Sequence, residues 1–341
     1  MADIEKVMSV EDADVEKFMG VARADIEKIM GVEMPSLAVA WLGARAVIGG
    51  GWTGSSPSTD IDYWTISADS TSSDGGDLTV ARQCRSGASN KTVGLWMGGY
   101  DSDGYSNIVD KISSISSMGG AASFGTLSED VNGTQVTTNG TKGLRMGGRT
   151  SSSGTGGTDT CDIYTIADSS SVSATDHGNL GQQPYRIGAS ISGSTRGITA
   201  GGTSSSQHDV IQYKLFASTD DSTDYGNLTE AMESSVGAED SSRGVVMGGY
   251  DTSPARSNVV QYFSVDGESG GFTATDAMNL AAGDNQGAGV SDNTYASFAA
   301  GTSDHDGVQR ITIQSLSGTA STDHALTNTG RYVAGGFSGN A

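Results

Sequence analysis

From residue 36 onward, short apolar runs end in glycine at a spacing that a radial repeat accommodates and most folds do not. The runs are AVIGG (46–50), LWMGG (95–99), LRMGG (144–148), ITAGG (198–202), VVMGG (245–249), SFAAG (297–301) and YVAGG (332–336). Their second glycines fall at 50, 99, 148, 202, 249, 301 and 336, in steps of 49, 49, 54, 47, 52 and 35. A self-similar period near 50 residues describes one supersecondary unit, repeated so that each copy buries its apolar face on the next.

The segments between the doublets define that unit. A polar loop comes first, then an alternating strand: IDYWTI (61–66), IVDKI (108–112), CDIYTI (161–166), VIQYKL (210–215), VVQYFSV (259–265) and VQRITI (308–313). Period-2 alternation makes a half-buried strand. A Ser/Thr/Asp-rich turn follows, then a terse segment: GGDL (75–78), FGTL (124–127), HGNL (177–180), YGNL (225–228), AMNL (277–280) or DHAL (323–326). A last short strand such as GASISGS (188–194) leads to the next doublet. Four strands at this period are the pattern of a kelch-type β-propeller. Glycines suit strands converging on the propeller axis, where only a residue without Cβ permits close backbone approach or positive φ.

The spacing also predicts how many blades there are and how the ring closes. From the leucine of the terse segment to the next doublet is about 20 residues five times, but from Leu326 to Gly335 it is 9. That interval holds one strand. The expected architecture is therefore all-β, a six-bladed propeller over 36–341, with Gly330–Phe337 pairing with Ala44–Gly50 of the first blade to close the ring.

Residues 1–35 belong to a different repeat. ADIEKVMSVED, ADVEKFMGVAR and ADIEKIMGVEM follow one another at a period of 11. Apolar positions recur at Ile4, Val7 and Met8, then Val15, Phe18 and Met19, then Ile26, Ile29 and Met30. This i, i+3, i+4 spacing predicts helical turns. Asp3, Asp14 and Asp25 suit N-caps, and Gly20 and Gly31 suit the residue past a helix end. Three such units bury little alone, so the segment is expected either to assemble with partners, giving an oligomer, or to stand as a solvated amphipathic leader.

Composition narrows the function classes. Of 341 residues, 50 are glycine, about twice the usual share, which excludes helical bundles. Forty acids against 19 bases give a net charge of −21 and a pI near 4.3, the opposite of what a nucleic-acid surface needs. No run of 18 apolar residues occurs and the opening MADIEKVM has no basic n-region, so neither membrane insertion nor a secretory signal is expected. Cys84 and Cys161 are too few for a disulfide framework.

Catalytic signatures are sparse. His177, His208, His305 and His324 stand in four segments without metal-binding spacing. No nucleophile elbow, P-loop or dinucleotide fingerprint is present, and the Gly-Gly pairs end strands instead of opening helices. Copper-radical sugar oxidases share kelch propellers, but the two cysteines lie in different blades with no His/Tyr cluster beside them. Two equivalent loops read Asp101-Ser-Asp103-Gly104 and Asp304-His-Asp306-Gly307, which suits either calcium ligation or ordinary turn chemistry. The loops after the doublets vary in length and share the face of the inter-blade connections. They would display Trp52, Tyr100, Tyr105, Arg149, Tyr250 and Arg256. Aromatics among Ser, Gly and Asn fit a recognition surface, and Tyr100 and Tyr250 equally suit covering blade ends.

The blade phrase R-G-x-x-M-G-G, followed by I-x-Y-x-I and F/Y-G-x-L-T, resembles kelch-like repeat proteins of tailed bacteriophages, marine and cyanobacterial ones in particular. The leader D-I-E-K-I-M-G-V is similar to the 11-residue N-I-A-K-V-N-G-V repeats that open phage tail and fibre proteins, although Met8, Met19 and Met30 stand where Asn is usual. The resemblance implies a non-enzymatic virion structural protein, made in the host cytoplasm and carried on the tail or a surface appendage. Residues 1–35 would dock to other virion proteins, and the propeller would bind a host surface glycan or protein or cover the particle. It supplies no catalytic residue and no cofactor. The alternative is a secreted bacterial kelch-type lectin or sugar-active, oxidase-like enzyme.

Overall fold

A computed structural model describes residues 17–18, 21–22, 28–29, 32–33 and 42–341, except 69, 84–86, 151–155, 167–171, 184–185, 205, 253–254, 267–269, 304, 317–321 and 327–329. The chain divides into two compact units, Met1–Ala38 and Val39–Ala341.

In the first unit Lys17–Phe18 pairs antiparallel with Val21–Ala22, and Lys28–Ile29 with Val32–Glu33. At these eight positions the backbone is paired strand where the apolar spacing predicts helix. The sequence carries a competing signal there: in the second and third copies a two-residue Met-Gly connection, Met19-Gly20 and Met30-Gly31, separates the paired residues, and such connections favour hairpins. The rest of the helical expectation, with Ile4, Val7, Met8, Val15, Met19, Ile26 and Met30, lies outside the described residues.

The second unit is a six-bladed β-propeller. Blade 1 consists of Gly335–Gly339, Arg45–Gly49, Asp60–Thr65 and Ser73–Asp77, written from the axis outward. Blade 2 is Gly87–Ser89, Gly94–Tyr100, Tyr105–Ile112 and Ala122–Val131, and blade 3 is Gln135–Thr138, Lys142–Arg149, Gly157–Thr165 and Thr175–Asn179. Blade 4 is Arg186–Ser192, Arg196–Thr203, Gln207–Leu215 and Thr223–Asn227. Blade 5 is Val236–Glu239, Arg243–Met247, Val259–Ser264 and Thr275–Asn279, and blade 6 is Ala288–Ser291, Tyr295–Ala299, Gly307–Thr312 and Thr322–Leu326.

Each innermost strand touches the next, and Gly335–Gly339 touches Gly87–Ser89, so the ring is closed. Closure is by the C-terminal strand, as the short last interval predicts: Gly335 pairs with Gly49 and Gly339 with Arg45. The YVAGG glycines therefore form an innermost strand and not a seventh doublet. The first doublet shifts by one residue as well. In the other blades whose second strand ends in two glycines the first has φ between 58° and 71° and the second between 119° and 129°, and in blade 1 it is Gly50 (66°) and Gly51 (115°) that match. Gly49 is still in register opposite Ile61, so the backbone bends one position later than the AVIGG run implies.

Local chemistry sets the hairpins at the other end of the blades. Asn90, Asn139, Asp240 and Asp292 each use a side-chain oxygen to accept backbone N–H groups two and three residues on, at 2.7–3.1 Å. The core is not one mass but six apolar clusters, one at each blade junction. At the junction that closes the ring, Phe337 lies 4.7 Å from the Trp96 ring centroid and Trp96 Nε1 donates to Gly335 O at 3.0 Å. Axial glycines permit the tight centre: a Cβ on Gly237 would sit 2.0 Å from Ser190 O, and one on Gly289 1.9 Å from Gly237 O. Outer edges are partly covered too, since Val172–Ser173 and Phe272–Thr273 add in parallel to the outermost strands of blades 2 and 4.

Candidate functional site

The residue after each doublet occupies an equivalent place in every blade: Trp52, Tyr100, Arg149, Thr203, Tyr250 and Thr302. Each meets the connection arriving from the neighbouring blade. Trp52 bridges Tyr332, Tyr100 bridges Gln83 and Arg149 bridges Asn132. Thr203 pairs with Arg186, Tyr250 pairs with Glu233, and Thr302 N donates to Asn285 O at 3.1 Å. The loops and the inter-blade connections thus share one face, as the sequence predicts.

These side chains form small local groups around the face. Tyr100 is 39 % exposed and packs edge-on against Tyr105 at 5.5 Å. Tyr332 stacks on His305 at 4.9 Å beside Trp52. Trp52, Tyr105, Arg149 and Tyr250 are half-buried, and Arg256 is exposed and bridged to Tyr250. The described geometry thus serves both readings of these residues: they cover the blade ends and they keep a polar or aromatic edge in solvent. His305 stands in a loop that the sequence places on this face, whereas Tyr332 was not legible as a member because it reads as the start of another doublet.

At the centre of the same face the connections are joined by backbone. Gln286 N donates to Ser234 O at 2.9 Å and Val333 N to Gln286 O at 2.7 Å, and all three residues have φ near 60°. A cavity of about 40 Å³ opens there, lined by Thr134, Gln135, Ser235 and Gln286 among others.

In the first aspartate loop the Asp101 side chain serves the turn itself. Asp101 Oδ1 accepts Asp103 N at 2.9 Å and Gly104 N at 3.1 Å; Asp103 and Asp306 are exposed and Asp304 lies outside the described residues. Among the described residues no group of three or more His, Cys, Asp or Glu stands in metal-binding proximity.

Most of the perturbed titratable groups belong to blade packing. The third strands carry Asp62, Asp110, Asp162, Gln212, Gln261 and Gln309 at one equivalent buried position. In five junctions this side chain accepts a backbone N–H from the connection just past the terse segment, at 2.8–3.4 Å: Thr79 to Asp110, Ser128 to Asp162, Gly181 to Gln212, Thr229 to Gln261 and Ala282 to Gln309. The aspartates have cations beside them: Arg331–Asp62 at 2.6 Å, Arg82–Asp110 at 2.8 Å and Arg145–Asp162 at 3.7 Å, with Arg145 also on Glu129 at 2.8 Å. Burial raises the Asp162 carboxyl despite Arg145. The glutamines do the same task with a neutral acceptor. Sequence reading missed this staple, although the D or Q in each third strand was its visible signal.

Four other shifted groups fit the same description. His177, lowered by burial, is the counterpart of Phe124 and Tyr225 and bonds Leu215 O through Nε2 at 2.9 Å. His208, half-buried on a third strand, is also lowered by burial. Burial pushes the Cys161 thiol up to about 12. Lys214, lowered by burial, donates to Ser218 O and Asp220 O. Arginines that open second strands reach into the next blade: Arg45 to Ile115 O at 2.7 Å and Arg243 to Ile313 O at 3.0 Å, each over a tyrosine ring. Compared with known protein families and with curated proteins, the chain matches none of them.

Proposed function

We propose that the chain is a non-enzymatic structural protein of a tailed-phage virion, whose propeller presents its loop face for recognition and whose first 35 residues attach it to the particle. The observation that carries the recognition half is the ring of equivalent positions after the doublets. One constant frame holds six places that carry four kinds of side chain: Trp52, Tyr100, Arg149, Thr203, Tyr250 and Thr302. That is how a scaffold devoted to display is arranged, with a shared backbone and variable tips. The buried aspartates of the third strands support the same reading, because the staples give them a packing role.

The attachment half rests on the leader repeat and on the similarity of both repeats to phage tail and fibre proteins. A net charge of −21 suits a many-copy exposed component, since it opposes self-association and adhesion to DNA. Immunogold labelling of purified particles tests the location: label on tails or appendages is expected, and particles without label overturn it. Adsorption of the purified full chain to host cells tests recognition. W52A, Y100A and Y250A are expected to reduce adsorption with unchanged melting. Adsorption unaffected by all three, or copper-dependent turnover of sugars, overturns the reading.

A further inference from the structure

Where the connection from one blade meets the next, the fourth residue past the terse-segment leucine fills the junction. Arg82, Val131 and Met232 take this place at three junctions, and all three are fully buried. At the junction of blades 5 and 6 the residue is Asp284. Its backbone is held as that of Arg82 is. Arg82 N donates to Ser58 O and Arg82 O accepts Gly51 N; Asp284 N donates to Ser257 O and Asp284 O accepts Gly249 N, all at 2.8–3.1 Å. The aspartate side chain is shorter, and a cavity of about 110 Å³ stands beside it, with Ala281, Ala282, Phe298, Ser303 and Gln309 in its lining.

Asp284 is 2 % exposed, and its hydrogen bonds all fall on one oxygen. Oδ1 accepts Ser303 N and Asn285 N at 2.8 Å and Thr302 Oγ1 at 3.4 Å, whereas Oδ2 accepts none among the described residues. No Lys, Arg or His among the described residues forms an ion pair with it. The junction of blades 1 and 2 shows which cation fits such a place. There Arg82 reaches the glycine end of the next blade's second strand, donating from Nε to Gly98 O at 2.9 Å and pairing with Asp110 at 2.8 Å. Asp284 reaches the same end of its own neighbour: a Cβ on Gly301 would lie 2.2 Å from Oδ2. In blade 6 the positions of Gly98 and Asp110 are held by Ala300 and Gln309. The acid thus stands on the connection instead of the third strand, without an arginine beside it.

We propose that this cavity binds a guanidinium group supplied by another molecule, either a free small guanidinium compound or an arginine side chain. A carboxylate out of water is stabilised by a hydrogen-bonded cation, and one carboxylate matches one positive charge. Phe298 and the two alanines offer a metal ion no ligand, but they suit a planar, weakly hydrated cation that packs on apolar and aromatic surface. The N–H fork can use Oδ2 while Oδ1 keeps its bonds to the loop. Ala281 and Ala282 are exposed, so the cavity is open at its rim. The net charge of −21 concentrates cations around the protein. None of these steps depends on the phage assignment.

The test is calorimetric titration of the full chain with methylguanidinium, with its neutral isostere N-methylurea and with N-acetylarginine amide, each well below denaturing concentration. Methylguanidinium is expected to bind saturably, and methylurea at least about tenfold more weakly. D284N keeps an oxygen for Ser303 N and Asn285 N and is expected to weaken methylguanidinium binding at least about tenfold. Should D284N not fold, A282F, which blocks the exposed rim, decides by the same loss. Binding of acetylarginine amide as well supports an arginine side chain as the natural ligand, and binding of methylguanidinium alone supports a free compound. Absence of saturable binding to the wild type, equal affinity for methylurea, or binding unchanged in a folded D284N or in A282F overturns the site. So does binding that appears only in R256A: the exposed Arg256, whose carbonyl lies against Gly283, would then be the group that occupies the cavity.

Discussion

The junction between blades 1 and 2 invites a swap that the chain has already made elsewhere. Arg82 and Asp110 form an ion pair at 2.8 Å with both side chains fully buried, and Arg82 Nε also donates to Gly98 O at 2.9 Å. Asp110 accepts both the N–H and the hydroxyl of Thr79, at 3.0 and 2.5 Å. The junction of blades 4 and 5 has the same threonine with different partners. There Gln261 accepts the N–H and hydroxyl of Thr229 at 2.8 and 3.0 Å and donates to the sulfur of Met232 at 3.8 Å. Met232 stands four residues past Leu228, as Arg82 stands four past Leu78. R82M alone leaves a buried carboxylate without its cation, a change that costs about 3–5 kcal/mol. For a unit of about 300 residues the unfolding entropy is about 0.6 kcal/mol/K, so a loss of about 4 kcal/mol lowers Tm by about 6 °C. D110Q alone takes the buried carboxylate from the Arg82 guanidinium and is expected to cost as much. The double variant R82M/D110Q rebuilds the blade 5 staple and is expected to melt within about 2 °C of the wild type. A double-mutant cycle by calorimetry or chemical denaturation measures the coupling. Single variants that cost under about 1 kcal/mol, or a double variant that loses the sum of the two, would refute the equivalence of the charged and neutral staples.

Four further outcomes are expected. His177 has its pKa depressed by burial, so its contribution to stability is present above pH 6.5 and lost as pH falls through the folded-state value; H177Y, which copies the Tyr225 of blade 4, should flatten that part of a Tm-against-pH curve. Cys161 in a C84S background should resist thiol reagents at about pH 8 until denaturant is added, because its thiol is buried and titrates near 12. Deleting residues 330–341 removes the closing strand and Phe337, and calorimetry should show a far larger loss than a loop deletion gives; a truncation that melts like the full chain contradicts closure. Ala300, at φ 57°, stands where five blades have glycine, so A300G should hold or raise Tm, while G98A should lower it because its Cβ would lie 2.7 Å from Val131 O.

The leader shows where one-dimensional periodicity carries two signals at once. The 11-residue copies place apolar residues at helical spacing, yet the second and third contain a two-residue connection ending in glycine, and at Lys17–Phe18/Val21–Ala22 and Lys28–Ile29/Val32–Glu33 the backbone pairs as strand. Both patterns coexist in eleven residues because a short apolar run fits either period.

Sequence alone determined the all-β class, the six blades, the closing strand and the face on which the loops stand. Those features are encoded by signals a few residues long, alternation and glycine position, repeated often enough to be counted. Tertiary structure decided the rest. It set the first doublet at Gly50–Gly51, because three consecutive glycines offer more than one register and only pairing opposite Ile61 selects among them. It joined Arg82 to Asp110 and Arg331 to Asp62, partners 28 and 269 residues apart, where the chain shows only isolated charges. It also gathered Glu239, Ser291 and Ser338 around the axis, since radial closure is what makes residues of equal register neighbours whatever their separation along the chain.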